Sequence, residues 1–285
     1  MQAAEKSSLA MRNWEKLRRN RLAVTGFVII ALMSLAAILA PLLTPYDPGA
    51  VNLAKRVQPP SWAHLLGTDK LGRDVLARLL YGARLSIVIG LCSALGGALI
   101  GTVLGCFSGY FGGWFDKVML RVSELFMTFP QIILILILVV FFGQGVFNLI
   151  FIFAITGWSG TYRLVRARFF SLRQESYVEA CRAFGIGEAS IMFKHILPNT
   201  LSPVIVSITL MTAGFILAES GLSFLGLGVP SGIPTWGNII NAAKAIDVIQ
   251  NNPWLWIPPG VTISLFVLGT NFFGDGLRDV LDPNQ

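Results

Sequence analysis

Residues able to do chemistry are few in this chain, and they lie far apart. Gly157-Trp158-Ser159-Gly160 sets a serine beside glycines. Such a hydroxyl acts as a nucleophile only with a base within hydrogen-bond reach to take its proton. The two histidines, His64 and His195, fall in polar stretches well removed from it. Glu219 stands alone in an apolar run, with Ser223 one turn further on. One lone acid makes no proton relay, so a carboxylate hydrogen-bonded to neighbouring backbone or to a partner chain is expected, with Glu219 and Ser223 as pathway or partner contacts. Cys92, Cys106 and Cys181 form neither a CxxC pair nor a ligand-spaced set, which argues against a disulfide framework and a metal site. No GxxxxGK[ST] occurs, so ATP is not expected to bind here through a P-loop. Catalytic residues and resident cofactors are therefore not expected in this chain.

The elements carrying these residues are set by composition. Hydrophobic residues make up 54% of the chain and charged residues 13%, half the charged share of a soluble domain, about 25%. Six apolar runs approach the roughly 20 residues a helix needs to cross a bilayer. They lie near residues 22–43, 85–107, 118–142, 146–164, 203–227 and 256–273. An all-α membrane protein with six transmembrane helices is expected. Pro41, Pro45 and Pro48 end the first run, and Pro130 predicts a kink in the third. In a soluble protein the formal charge of +7 would suggest nucleic acid, but here basic residues flank apolar runs and orient them. No nucleic-acid partner is expected; the lipid bilayer is. Of the 22 Lys and Arg, fifteen fall on the side of the N-terminus and seven on the other. That places both termini in the cytoplasm by the positive-inside rule. Six of those seven crowd into the 44–84 loop, in mild conflict with the rule.

The chain divides into two parts. Residues 1–84 hold a basic N-terminal arm (Arg12, Lys16, Arg18, Arg19 and Arg21 around Trp14 and Leu17), the first span and an extracytoplasmic loop. The loop closes with Val75, Leu76, Leu79 and Leu80 at the spacing of an amphipathic helix lying on the bilayer or against the bundle. Residues 85–285 form a five-helix core with a polar tail after the sixth span. Gly97, Gly101, Gly105, Gly109 and Gly113 recur every fourth residue, a stripe that lets a neighbouring helix backbone approach closely.

One interruption, residues 163–200, is longer than a turn between spans requires. Tyr177, Ala180, Cys181 and Phe184 share one helix face, and Glu179, Arg182 and Glu175 project elsewhere. Gly185 and Gly187 break that helix. A second one, with Ile191, Met192, His195 and Ile196, is expected to stop at Pro198. A protruding knob with an apolar face suits helix-in-groove docking on a partner.

EACRAFG (179–185), followed after nine residues by HILP (195–198), resembles the EAA signature of bacterial ABC importer permeases. Glu179, Ala180, Gly185, Leu197 and Pro198 match; Cys181 stands where alanine is usual and His195 where isoleucine is usual. GTDKLGRDVLARLLYGARLS (67–86), ESGLSFLGLGVPSGIPTWG (219–237) and GDGLRDVLDP (274–283) resemble the C-type permease subunit of dipeptide, oligopeptide and nickel importers. The resemblance implies a type I ABC importer permease fold in the bacterial inner membrane, spanning it several times. It implies a coupling helix built from Glu179, Ala180, Cys181, Arg182, Ala183, Phe184, Gly185, Ile186 and Gly187, with His195, Leu197 and Pro198 behind it. It also implies a second, homologous permease, two cytoplasmic ATPases that bind ATP and Mg, and an extracytoplasmic substrate-binding protein. Peptides are the expected cargo. Nickel or another small solute is the alternative, though no His or Cys cluster lies within the spans. The GxSG stretch resembles that of rhomboid proteases, but neither histidine is expected near Ser159. A proton-driven transporter would need more ionisable residues at mid-membrane depth than Glu219 alone. A passive channel would have no use for the knob.

Overall fold

The computed structural model describes residues 15–281; Arg12 and Trp14 of the basic arm lie outside them. Helix α1 (Arg21–Ile38) is capped by Asn20, whose Oδ1 accepts the Ala23 amide at 3.1 Å. Residues 44–74 then fold into a cap over one end of the bundle, hereafter the cap end. Helix α2 (Val75–Phe111) begins at Asp74, whose Oδ1 accepts the Ala77 amide at 2.7 Å. Its 37 residues rise about 55 Å. The expected break between an amphipathic piece at 75–84 and a span from Leu85 does not occur. Val75 and Leu79 are buried, and Gly82 lets the turn containing Thr235 lie against the helix, so no residue interrupts it.

Gly112 and Gly113 (φ +66° and +67°) turn the chain into α3 (Gly113–Thr128). Gly113 thus leaves the glycine stripe and meets nothing within 4 Å. Helix α4 (Gln131–Phe142) follows at 94° to α3. The sequence predicts a kink here; the structure has a corner. Phe129 precedes a proline and is driven to an extended conformation (ψ 138°), and Pro130 caps α4 from outside the helix, so two consecutive residues leave helical geometry.

Helix α5 (Val146–Leu172) runs eight residues beyond the expected span. After α6 (Ser176–Ala183), a turn at Glu188–Ser190 and a π-helical stretch at Ile191–Ile196 lead without a stop into α7 (Leu197–Phe224). Pro198 therefore does not end the second handle helix. The Leu197 amide bonds to the Met192 carbonyl in the wide i→i−5 pattern, which puts Pro198 in the first turn of α7, where a missing N–H is tolerated. Pro203 lies inside α7 rather than at its start. The loop from 228 holds α8 (Trp236–Ala242) and α9 (Ile246–Asn251), and α10 (Ile257–Leu281) carries helix through most of the expected polar tail.

Among the described residues the fold is all-helical, and four stretches are long and apolar enough to cross a membrane: Arg21–Ile38, Val75–Phe111, Glu188–Phe224 and Pro253–Leu281. A fifth results if α3 and α4 count as one bent span. The most extensive contact joins α2 to α5. A Cβ added at Gly101 would lie 2.6 Å from the Trp158 carbonyl oxygen, and one at Gly105 2.8 Å from that of Tyr162. Gly97 meets Met211 and the Ala154 carbonyl in the same seam.

Candidate functional site

At the end opposite the cap, the chain from Arg173 to Ile196 stands out as a handle. Helix α6 is anchored by Val178, fully buried, with Cys181 half-buried behind it. Its C-terminus closes in a Schellman motif: the Ile186 amide reaches the Cys181 carbonyl at 3.0 Å and the Gly185 amide that of Arg182 at 2.9 Å. That closure requires a left-handed residue, and Gly185 supplies it at φ +74°. Beneath it Ile191, Met192 and Ile196 are buried against Cys106, Tyr110, Val165 and Phe169 at the ends of α2 and α5. This apolar floor removes the handle's inner face from water.

Polar groups brace it sideways. Tyr110, at the end of α2, donates its hydroxyl to Glu188 of the handle, and Arg173 donates to the Tyr110 carbonyl at 2.9 Å. Arg182 lies over the Tyr110 ring, 3.9 Å from Glu188. One turn inward, Arg166 of α5 grips Asp116 of α3 through both carboxylate oxygens, Nη2 to Oδ2 at 2.6 Å. Such a paired guanidinium–carboxylate contact fixes orientation as well as separation. Ser108 joins it, donating to Asp116 and bonding Tyr162 at 2.8 Å.

The residues left on top are Glu179, Ala180, Arg182, Ala183, Gly185 and Gly187, all exposed, and Phe184, which is 85% exposed. The expected face of Tyr177, Ala180, Cys181 and Phe184 splits in two. Cys181 turns toward the floor, and the other three face solvent. The residue doing the anchoring, Val178, was not among those picked out by the spacing, although its i, i+3 relation to Cys181 could have marked it. His195 and Leu197 are half-buried at the base, and Pro198 is exposed.

Glu219 sits about 33 Å further along α7, fully buried near the cap end. It accepts from Ser223 at 2.8 Å and from Ser86 of α2 at 3.4 Å. The Ser86 oxygen in turn accepts the Trp236 amide at 3.1 Å. The carboxylate therefore ties α2, α7 and the start of α8 together. Ser159 makes no hydrogen bond to either histidine: His64 is buried in the cap and paired with Asp74 at 2.9 Å, and His195 lies in the handle. No nucleophile–base pair forms.

Residues 101–285 match the family of binding-protein-dependent transport system inner membrane components, and residues 8–60 match the N-terminal transmembrane domain of oligopeptide transport permease C. The chain belongs to the first of these families. This permease is 41% identical over 272 residues to the dipeptide transport system permease protein of Alkalihalophilus pseudofirmus, covering 95% of its own length and 89% of the relative's. It is 38% identical to the oligopeptide transport system permease protein of Bacillus subtilis, covering 94% and 87%. To the di/tripeptide transport system permease protein of Pseudomonas aeruginosa it is 37% identical, covering 95% and 90%. The permease is thus a multi-pass inner-membrane component of the ABC importer class.

The geometry also shows a network that the sequence did not point to. Within GTDKLGRD (67–74), Asp69 accepts the Leu71 and Arg73 amides and the Arg73 Nε at 2.7 Å. Arg78, 1% exposed, donates to the Pro48 carbonyl at 3.1 Å. Arg84 donates to the Ala37 and Ile38 carbonyls at the end of α1. These basic residues of the permease hold the cap on the bundle.

Proposed function

We propose that this chain is one of two unlike permease subunits of an ATP-driven importer of dipeptides and short oligopeptides, with six membrane crossings of the type I fold. Both termini and the handle face the cytoplasm. The crown of α6, from Glu179 to Gly187, is the coupling helix seated in a cleft of an ATPase subunit, and two such subunits supply ATP and Mg. A substrate-binding protein delivers peptide at the cap end. The observation carrying this reading is the handle's build: an exposed apolar and charged crown on a base bonded to two long helices. A knob that must transmit force needs both parts, since a floppy loop would dock without moving anything. Nucleotide can shift the permease between states only by its differential affinity for them, so the docked crown must move with α2 and α5. The braces from Glu188 to the Tyr110 hydroxyl and from Arg173 to the Tyr110 carbonyl supply that rigidity.

The test is the reconstituted importer with its binding protein, assayed for ATPase stimulation by a peptide panel and by nickel. Peptide stimulation is expected, and stimulation by nickel alone overturns the cargo. Glu179→Arg reverses an exposed charge in the crown and should weaken ATPase association by about tenfold, the factor carried by 1.4 kcal/mol, with membrane insertion intact. Undiminished association and transport in that variant would refute the docking role.

A further inference from the structure

Two cavities of about 500 and 550 Å³ meet at Gly160 and Met211 and form one groove between α5 and α7. Each falls within the usual 300–1,000 Å³ of small-molecule sites. On α5 the groove follows Gly157, Gly160, Leu164 and Arg168, spaced to share one helix face. It runs from the corner at Pro130 to a mouth near the handle, where Arg168 and Arg278 both line it.

Two of its glycines, Gly160 and Gly214, differ from those of the α2–α5 seam. A Cβ at Gly101 or Gly105 would strike backbone, whereas one at Gly160 or Gly214 would meet nothing within 4 Å. Glycine is a poor helix former, and neither packing nor a positive φ calls for it at these two positions. What they provide is width. Around them the lining is mainly apolar, with Phe126, Leu164, Leu210 and Phe215, and Gln131, Ser159 and Ser207 add a few polar groups.

We infer that this groove is the chain's share of the peptide path: an extended peptide lies along Gly160 and Gly214, and its C-terminal carboxylate is drawn toward Arg168 and Arg278. The inference rests on the peptide-import reading above and adds where the cargo passes. The occupant follows from charge and shape: two arginines at one end for a carboxylate, and an open, mainly apolar groove with a few polar groups for main chain with varied side chains. Where Gly160 and Gly214 leave the two walls without side chains, groove width sets the largest side chain admitted.

The experiment fills the groove. Gly160→Leu and Gly214→Leu, with Gly221→Leu as an equally open glycine of α7 outside it, are reconstituted as the full importer with its binding protein. Uptake of diglycine and of ditryptophan is measured. In the two groove variants the ditryptophan-to-diglycine uptake ratio should fall by about tenfold or more, equivalent to 1.4 kcal/mol. Gly221→Leu should keep the wild-type ratio. Unchanged ratios in both groove variants overturn the inference, as does loss of the co-purifying second permease, which would mean a protein partner covers the groove. Wild-type uptake of no peptide at all overturns the occupant together with the cargo assignment, and the wild-type arm alone separates that outcome from failure of the groove.

Discussion

Gly185 offers a graded test of whether the handle's closure matters. Its φ of +74° is one that side-chain-bearing residues rarely adopt, yet a Cβ there would touch nothing within 4 Å. Gly185→Ala therefore adds backbone strain and no clash, about 1–2 kcal/mol for an L-residue in the left-handed region. That lowers the closed-to-frayed ratio of the handle about 5–30-fold. Asparagine tolerates this region better, so Gly185→Asn should lose less. Gly185→Pro cannot reach the required φ, deletes the 2.9 Å amide bond to Arg182 and pushes Phe184 out of its present conformation. Its cost is about 3 kcal/mol or more. The buried anchors Val178, Ile191 and Ile196 are untouched, so the loss is local fraying, not unfolding. Peptide-stimulated ATPase activity should fall, and exchange of the Ile186 amide should quicken, in the order wild type, Asn, Ala, Pro. If all four couple equally, closure at Gly185 has no bearing on docking.

Two further substitutions probe the bundle. Gly101→Ala places a methyl 2.6 Å from the Trp158 carbonyl oxygen and should destabilise the complex by about 1–3 kcal/mol through overpacking. Gly221→Ala, which meets nothing, should cost no stability; thermal unfolding in detergent distinguishes them, and equal melting refutes close packing at Gly101. Glu219→Leu strips the acceptor from Ser86 and Ser223 and should cost about 1–3 kcal/mol for each stranded hydroxyl. Glu219→Gln keeps an acceptor and should cost less by the same assay.

The existence and order of the long helices were legible because membrane-length apolar runs leave few alternatives. Proline was the least reliable guide. Pro130 makes a corner because the residue before it also leaves helical geometry, whereas Pro198 is absorbed because a π-helical turn delivers it to the start of α7. The first is a local effect of Pro130 on Phe129; the second goes with the burial of Ile191, Met192 and Ile196 under the handle, which no local pattern encodes. The crown was readable from its charges and glycines. Val178 was overlooked because the apolar face was read from Tyr177, although Cys181 three residues on marks the face that is buried. The crowding of basic residues in the 44–84 loop has a similar origin. Arg73, Arg78 and Arg84 are bound to Asp69 or to backbone carbonyls, so they act as structural donors within the cap.

The glycines show most clearly how one residue type carries three meanings. In the α2–α5 seam they admit a neighbouring backbone, at Gly185 they admit a left-handed turn, and at Gly160 and Gly214 they leave space. The first and third uses recur at helical spacing and look alike in sequence; only the neighbours tell them apart. That difference also locates stiffness. Helices α2 and α5 interlock through backbone-to-backbone contacts, which cannot slide without clashing, and the handle is bonded to both of their ends. Helices α5 and α7 touch far less, with the groove between them. A displacement applied at the crown is therefore shared by α2 and α5, to which its base is bonded, and by α7, into which the handle runs without a stop.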